Sequence, residues 1–319
     1  MEQRAFGSLG YDVSALTLGG GGIGQVWGAT TREECVATTR EAIEHGINLL
    51  DVAPTYGDGE AERVVGEAFG GRLPDGVRVS TKCRVGAPLA SEVADLLRSS
   101  LTESLARLRL ERVDVFIVHN MLVADADADR YAGTPLTLFE EAVRPALEGL
   151  VAEGLAGAWG ITGIGVPDAV IAALHSATPP GAVQCITNLL DSAGAIQRFE
   201  GPLRPREVIA AAGEQGVAVM GIRAVQAGAL TDAIDRDLPE GHGDAADFDR
   251  AAPFRDLARD LGESPAALAH RYALSMPGVS TVVLGVKNRE ELRECVDAEA
   301  RGPLDAELIS RIDAAVGRA

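Results

Sequence analysis

Eight short runs of apolar and β-branched residues punctuate this chain: ALTLG, INLLD, VRVSTK, VDVFIVH, GAWGIT, GAVQCIT, GVAVMGI and STVVLG. Each is followed by a longer stretch whose apolar residues recur at helical spacing. The short runs predict strands buried on both faces, and the longer ones predict helices that cover them. Strict alternation of this kind implies parallel strands joined by right-handed crossovers. With eight repeats the sheet can close on itself, so the expected fold is a (β/α)8 TIM barrel. A doubly wound open sheet is the alternative. A β-hairpin around LGYD precedes the first run, and a helix predicted over Asp305–Val316 follows the last as an extra C-terminal cap. Neither a Ser/Pro-rich linker nor an internal repeat divides the sequence, so residues 1–319 are expected to form one barrel domain.

Local signals refine this outline. Thr31 and Glu34 have capping-box spacing and Gly46 suits a C′ position, so they bracket the first helix. Leu and Val periodicity predicts further helices over Glu92–Leu108 and Leu136–Glu153. Two polar insertions, VADADADRYAGT and TDAIDRDLPEGHGDAADFDR, fall after the fourth and seventh strands. They lie on the side of a barrel where loops shape pockets, and either do so or serve as acidic, solvent-facing decoration.

The stretch LGGGGIGQ matches the dinucleotide-binding spacing G-x-G-x-x-G through Gly19, Gly21 and Gly24, and Glu44 lies twenty residues on. That motif needs a helix to start at its last glycine. Here GQVWGATTREE delays the predicted helix, and eight strands leave no separate nucleotide domain. The glycines, Gly20 and Gly21 among them, are instead expected to let a ligand approach the backbone at the mouth of the first strand.

Acidic side chains outnumber basic ones 47 to 29, for a net charge of −18. Such a surface argues against nucleic-acid and anionic-membrane partners. No run approaches the ~20 apolar residues of a membrane helix, and MEQRAFGSLG has no targeting character. Cys35, Cys83, Cys185 and Cys295 are far apart and read as reduced thiols in a cytoplasmic protein. The five histidines form neither H-x-H nor H-E-x-x-H, so no metal site is expected.

Only two of the 29 basic residues are lysines, Lys82 and Lys287. Lysine, unlike arginine, can shift its pKa and take part in proton chemistry. In barrels, active sites form where strands end. Those ends deliver Asp51, Lys82 and His119 from three consecutive strands, and Tyr56 follows Asp51 by five positions. Singly, the aspartate fits a helix cap, the tyrosine packing and the histidine a core imidazole. Together they form a proton-handling group.

INLLDVAPTYGDGEAERVVGEAF, VSTK, VDVFIVHN and VVLGVKNREELREC resemble the aldo-keto reductases, nicotinamide-dependent barrel oxidoreductases. GITG and RAVQAGALT resemble more weakly the branch that includes aldose and galactose dehydrogenases. The resemblance implies Tyr56 as general acid/base, with Lys82 and Asp51 tuning it and His119 orienting an aldehyde, ketone or aldose. It further implies cofactor contacts at Gly20, Gly21, Thr162, Gln184, Ile222, Arg223, Gly228, Gly285, Lys287, Arg289 and Glu294. Trp27 and Met121 would join Tyr56 and His119 in the substrate pocket. Lys287 and Arg289 fall where the family holds the adenosine 2′-phosphate, which implies NADP(H) in preference to NAD(H). Ile222 replaces the usual stacking aromatic, Thr162-Gly163 the usual Ser-Asn pair, and Cys295 the asparagine that faces adenine. Two other chemistries remain open: an aldolase-like Schiff base on Lys82, and a non-catalytic NADPH-binding subunit that senses redox state.

Overall fold

The computed structural model describes residues 1–318. Two short strands, β1 (Gln3–Ala5) and β2 (Asp12–Ser14), pair antiparallel as the predicted hairpin. Eight parallel strands then close a barrel: β3 (Leu16–Gly19), β4 (Leu49–Asp51), β5 (Arg78–Cys83), β6 (Val113–Val118), β9 (Ala156–Thr162), β10 (Ala182–Ile186), β11 (Ala218–Ile222) and β12 (Thr281–Leu284). These are the eight sequence runs in order. Between β6 and β9, the two-residue strands β7 (Leu122–Val123) and β8 (Thr134–Pro135) pair outside the barrel and frame the first acidic insertion.

The apolar residues sort into three layers. Strand side chains that face outward meet the helices in the main core, where Val64, Leu97, Phe139, Leu150 and Phe254 are buried. Inside the barrel, Leu49, Val115, Ile117, Ala182, Ala218 and Met220 pack with Phe6 and Val13 from the hairpin, which therefore closes the bottom of the barrel. A third cluster of Met121, Val123, Ile164, Ile186, Phe199 and Leu203 lies under the loops at the strands' carboxyl ends.

Helix boundaries follow the sequence signals with informative exceptions. The first long helix, Arg32–Glu44, starts at Thr31, whose hydroxyl accepts the Glu34 N–H at 3.2 Å. The reciprocal half of the capping box is not formed, because the Glu34 carboxylate turns to Arg289 instead. The helix expected over Leu136–Glu153 is interrupted by a π turn at Phe139–Val143, next to Pro145, which has no N–H to continue the ladder. The extra C-terminal helix spans Ala306–Ala315, capped by Asp305.

A helical turn, Gly20–Ile23, directly follows β3 but ends before Gly24, and the first long helix begins only at Arg32, so the delay read from the sequence stands. What needs correction is the expectation that these glycines keep the backbone open. A Cβ at Gly20 would sit 2.8 Å from the Tyr56 ring, one at Gly21 2.2 Å from the Trp27 indole nitrogen, and one at Gly22 1.9 Å from the Val286 carbonyl oxygen. The missing side chains make room for the protein's own residues. Closure of the barrel and the start of the next helix at Arg32 rather than Gly24 both exclude the Rossmann reading.

Candidate active site

Adjacent parallel strands end in register, so residues far apart in sequence meet at the rim. Asp51 pairs with Ser80, and Lys82 with Ile117, across β4, β5 and β6. Lys82 is fully buried and Asp51 is 2% exposed. Lys82 Nζ donates to Asp51 Oδ2 at 2.8 Å, to the Val52 carbonyl at 3.0 Å and to Tyr56 Oη at 3.2 Å. An ammonium has three protons, and each has a partner here. The third partner is the phenol oxygen, which accepts from lysine and leaves its own proton free to donate elsewhere.

Tyr56 lies on the turn between β4 and the helix Glu60–Phe69. Its ring meets the His119 ring edge-on, with centroids 5.6 Å apart at 84°. His119 immediately follows β6, and its N–H donates to the Cys83 carbonyl at 2.7 Å. Thr55 Oγ1 lies 3.4 Å from His119 Nδ1. The four residues that the sequence assigned to one rim are thus gathered at one place.

Asp51 has two further donors. Ser80 Oγ reaches its Oδ1 at 2.7 Å, and Gln184 Nε2 shares its Oδ2 at 2.9 Å. Ser80 was missed in the sequence. The available signal was its position two residues before Lys82, on the same face of a strand that pairs with β4. Gln184 was assigned to the cofactor, and here its amide also touches the proton-handling group.

Burial sets the protonation states. It pushes the Tyr56 phenol above its ordinary value, and the neighbouring Lys82 counters only part of that rise. In the free protein Tyr56 therefore holds its proton. Burial disfavours the Lys82 ammonium, but Asp51 and Tyr56 together more than offset it and hold its pKa above the usual value. His119 falls well below its normal range through burial, then through the nearby positive charges of Lys82 and Arg84. At neutral pH the group is a neutral imidazole, a protonated phenol and one internal ion pair.

Toward the other strands, Thr162 ends β9 beside Gln184 in register, and its buried hydroxyl has no hydrogen-bond partner among the described residues. Such an orphan is costly unless something completes it. Trp27 stacks against Gly21 and Gly285 and lies 5.8 Å from the Arg236 guanidinium. Met121 lies within the apolar cluster under the loops and is 7% exposed. Ile222 ends β11 and packs against the same cluster.

Arg223, in a left-handed conformation (φ 57°), gives its guanidinium to Asp244 Oδ1 at 2.7 Å and Gln226 Oε1 at 2.8 Å. These internal bonds brace the loop that contains Gly228 (φ 92°). Lys287 Nζ lies between Glu291 Oε1, 2.5 Å away, and Asp235 Oδ2, 3.1 Å away. The carboxylate of Glu34 grips Arg289 side-on at 3.0 and 3.1 Å. Glu294 accepts from Ser264, and Cys295 is buried against His270. Both cations that the sequence assigned to a 2′-phosphate are thus already paired.

Residues 15–316 match the Aldo/keto reductase family. The chain is 28% identical to L-galactose dehydrogenase of Arabidopsis thaliana, over 98% of this chain and 94% of that protein. It is 26% identical to D-threo-aldose 1-dehydrogenase of a Pseudomonas species, over 92% of this chain and 91% of that one. In fold it is similar to a holo-form aldo-keto reductase from Bacillus halodurans, with a TM-score of 0.75 at 23% identity, covering all of this chain and 97% of the other.

Proposed function

The chain belongs to the aldo/keto reductase family, and on that premise we propose that it moves a hydride between a nicotinamide dinucleotide and a carbonyl or alcohol carbon, with Tyr56 as general acid and base. One observation carries this reading: Lys82 directs its third proton at Tyr56 Oη. The phenol proton is therefore turned outward, where a substrate oxygen would meet it.

When bound, the dinucleotide supplies hydride to the carbonyl carbon or takes it from the alcohol. The residues around Thr162 fit its carboxamide: the orphaned hydroxyl offers a donor, and the Gln184 amide oxygen beside it offers an acceptor. In reduction, Tyr56 gives its proton to the carbonyl oxygen, and the Lys82 ammonium stabilises the tyrosinate left behind. Asp51 keeps that lysine cationic. A Thr55 hydroxyl proton donated to His119 Nδ1 leaves Nε2–H to orient the same oxygen. In oxidation the tyrosinate takes the alcohol proton.

Likeness to two sugar dehydrogenases supports an aldose as the natural substrate class, oxidised at its alcohol carbon. The Schiff-base alternative loses ground, because a lysine held as an ammonium by Asp51 has no free lone pair for a carbonyl. For the cofactor, Lys287 favours NADP(H). That preference is held down by Glu291 and Asp235, which a 2′-phosphate must displace.

A screen at the nicotinamide absorbance band tests the reading. Aldehydes are offered with NADPH and NADH, and aldoses with the oxidised forms. Turnover in either direction is expected; tight dinucleotide binding with no turnover across both panels would overturn it in favour of a sensing subunit.

A further inference from the structure

The strand that carries Lys82 ends one residue later, at Cys83, and the next residue, Arg84, is exposed. Because the His119 N–H bonds the Cys83 carbonyl, β5–β6 pairing runs one step past Cys83↔Val118 and brings Arg84 alongside His119. Strand alternation puts Arg84 on the same side as Lys82. Its backbone is anchored from β6 and its following loop. Asn120 Oδ1 accepts the Val85 N–H at 2.8 Å and the Gly86 N–H at 3.3 Å, while the Thr134 hydroxyl donates to the Gly86 carbonyl at 2.6 Å.

The guanidinium itself makes no ion pair with the described residues, although carboxylates engage Arg78, Arg107, Arg130 and Arg144 on neighbouring elements. The strand register nevertheless sets Arg84 next to His119, at the rim of the site. The four proposed catalytic side chains sum to zero charge, since Lys82 and Asp51 cancel. Arg84 is left as an uncancelled positive charge at their rim, on a protein whose net charge is −18.

We propose that Arg84 is a subsite for a carboxylate carried by the carbonyl substrate. With the carbonyl oxygen between Tyr56 and His119, a carboxylate about two to four carbons away would lie over the neighbouring strand, roughly 4.8 Å across. There the planar guanidinium can take both of its oxygens. This assignment rests on the oxidoreductase reading above and narrows it to carbonyl compounds that carry a carboxylate, acidic sugars included.

The test compares kcat/KM for 4-oxobutanoate and its methyl ester, and for glyceraldehyde 3-phosphate and glyceraldehyde, in wild type, Arg84→Leu and Arg84→Lys. Wild type is expected to prefer 4-oxobutanoate over its ester by about thirtyfold, largely through KM. R84L should bring that ratio near one, and R84K should restore part of it, since lysine keeps the charge but not the fork. Equal use of acid and ester by wild type, or an unchanged ratio in R84L, overturns the subsite while leaving the oxidoreductase reading intact. A larger ratio for the phosphate pair overturns carboxylate as the ligand. Failure to turn over any of the four by an enzyme that still oxidises aldoses overturns the subsite alone; failure with the aldoses as well removes both readings.

Discussion

The two ends of the proposed cofactor groove are built from different kinds of bond. At the Tyr56 end, the charged partners Lys82 and Asp51 lie on paired strands and are 0% and 2% exposed. At the Lys287 end, the cation is 21% exposed and its partners, at 35% and 49%, come from a helix start and a long loop. Buried pairs act at short range in a low dielectric, and losing one partner strands a charge. Exposed pairs exchange with water and salt at little cost. On the proposed reading, the chemistry is held by strand residues, whereas the preference between dinucleotides rests on contacts that a ligand can rearrange.

The sharpest way to break this contrast is at the phenol. Tyr56→Phe removes the proton but keeps the ring against His119, and kcat is expected to fall by about a thousandfold, roughly 4 kcal/mol in the barrier. Dinucleotide affinity, read by protein fluorescence, should stay near wild type; a kcat within tenfold of wild type would remove Tyr56 from its role. The pH profile sharpens the same point. His119 is depressed below 6.5 and Tyr56 raised above 10, so reduction should show no break near pH 6.5. Its rate should decline only on the alkaline side as the phenol loses its proton, whereas oxidation should rise with pH over that range.

Substitution of the buried acid tests stability directly. Asp51→Asn leaves Lys82 charged without its counter-ion in a dry site, which is expected to cost about 3 kcal/mol of folding stability in chemical denaturation. The matching change at the exposed end, Asp235→Asn, should cost under about 1 kcal/mol. Comparable losses at both ends would dissolve the contrast. Ser80→Ala is milder, at about 2 kcal/mol for a hydrogen bond to a charged group. It leaves the Asp51 charge less compensated, and that charge already raises Tyr56. The oxidation profile of S80A should therefore shift to higher pH, a change that simple loosening of the core would not produce.

What could be read from the sequence divides along the same line. The eight strands and the four rim residues follow from apolar periodicity and from a fold that places strand ends together, so Asp51, Lys82 and His119 were legible once eight runs were counted. Ser80 was less legible: its place two residues before Lys82 sets its face, but its bond to Asp51 depends on the register between β4 and β5. The glycine run misled for a related reason: its spacing suggests an open cradle, and only the tertiary structure brings Tyr56, Trp27 and Val286 against it. At the other end, the sequence supplies Lys287 and Arg289 as phosphate ligands with Glu291 close by in the chain, but cannot reveal that Glu34 and Asp235 hold them as well. Glu34 comes from the first long helix and Asp235 from a distant loop, and side-chain pairing between elements far apart in the chain leaves no periodic trace.

The smallest expected effect concerns that pairing. Glu291 holds Lys287 twice: its Oε1 meets the ammonium, and its Oε2 accepts the Lys287 N–H at 3.0 Å. Glu291→Gln keeps an oxygen for the backbone bond and the cap at Asn288, but removes the charge that competes with a 2′-phosphate. An exposed carboxylate–ammonium pair is worth up to about 1 kcal/mol, so the ratio of NADPH to NADH affinity should rise by roughly fivefold. Trp27, close to Gly285 at the start of this loop, offers a fluorescence readout independent of turnover. The gain should shrink as salt is added, because screening weakens the pair that the substitution removes. If E291Q binds both dinucleotides as wild type does, the 2′-phosphate lies elsewhere, and Lys287 serves only to tie the Asp235 loop to β12.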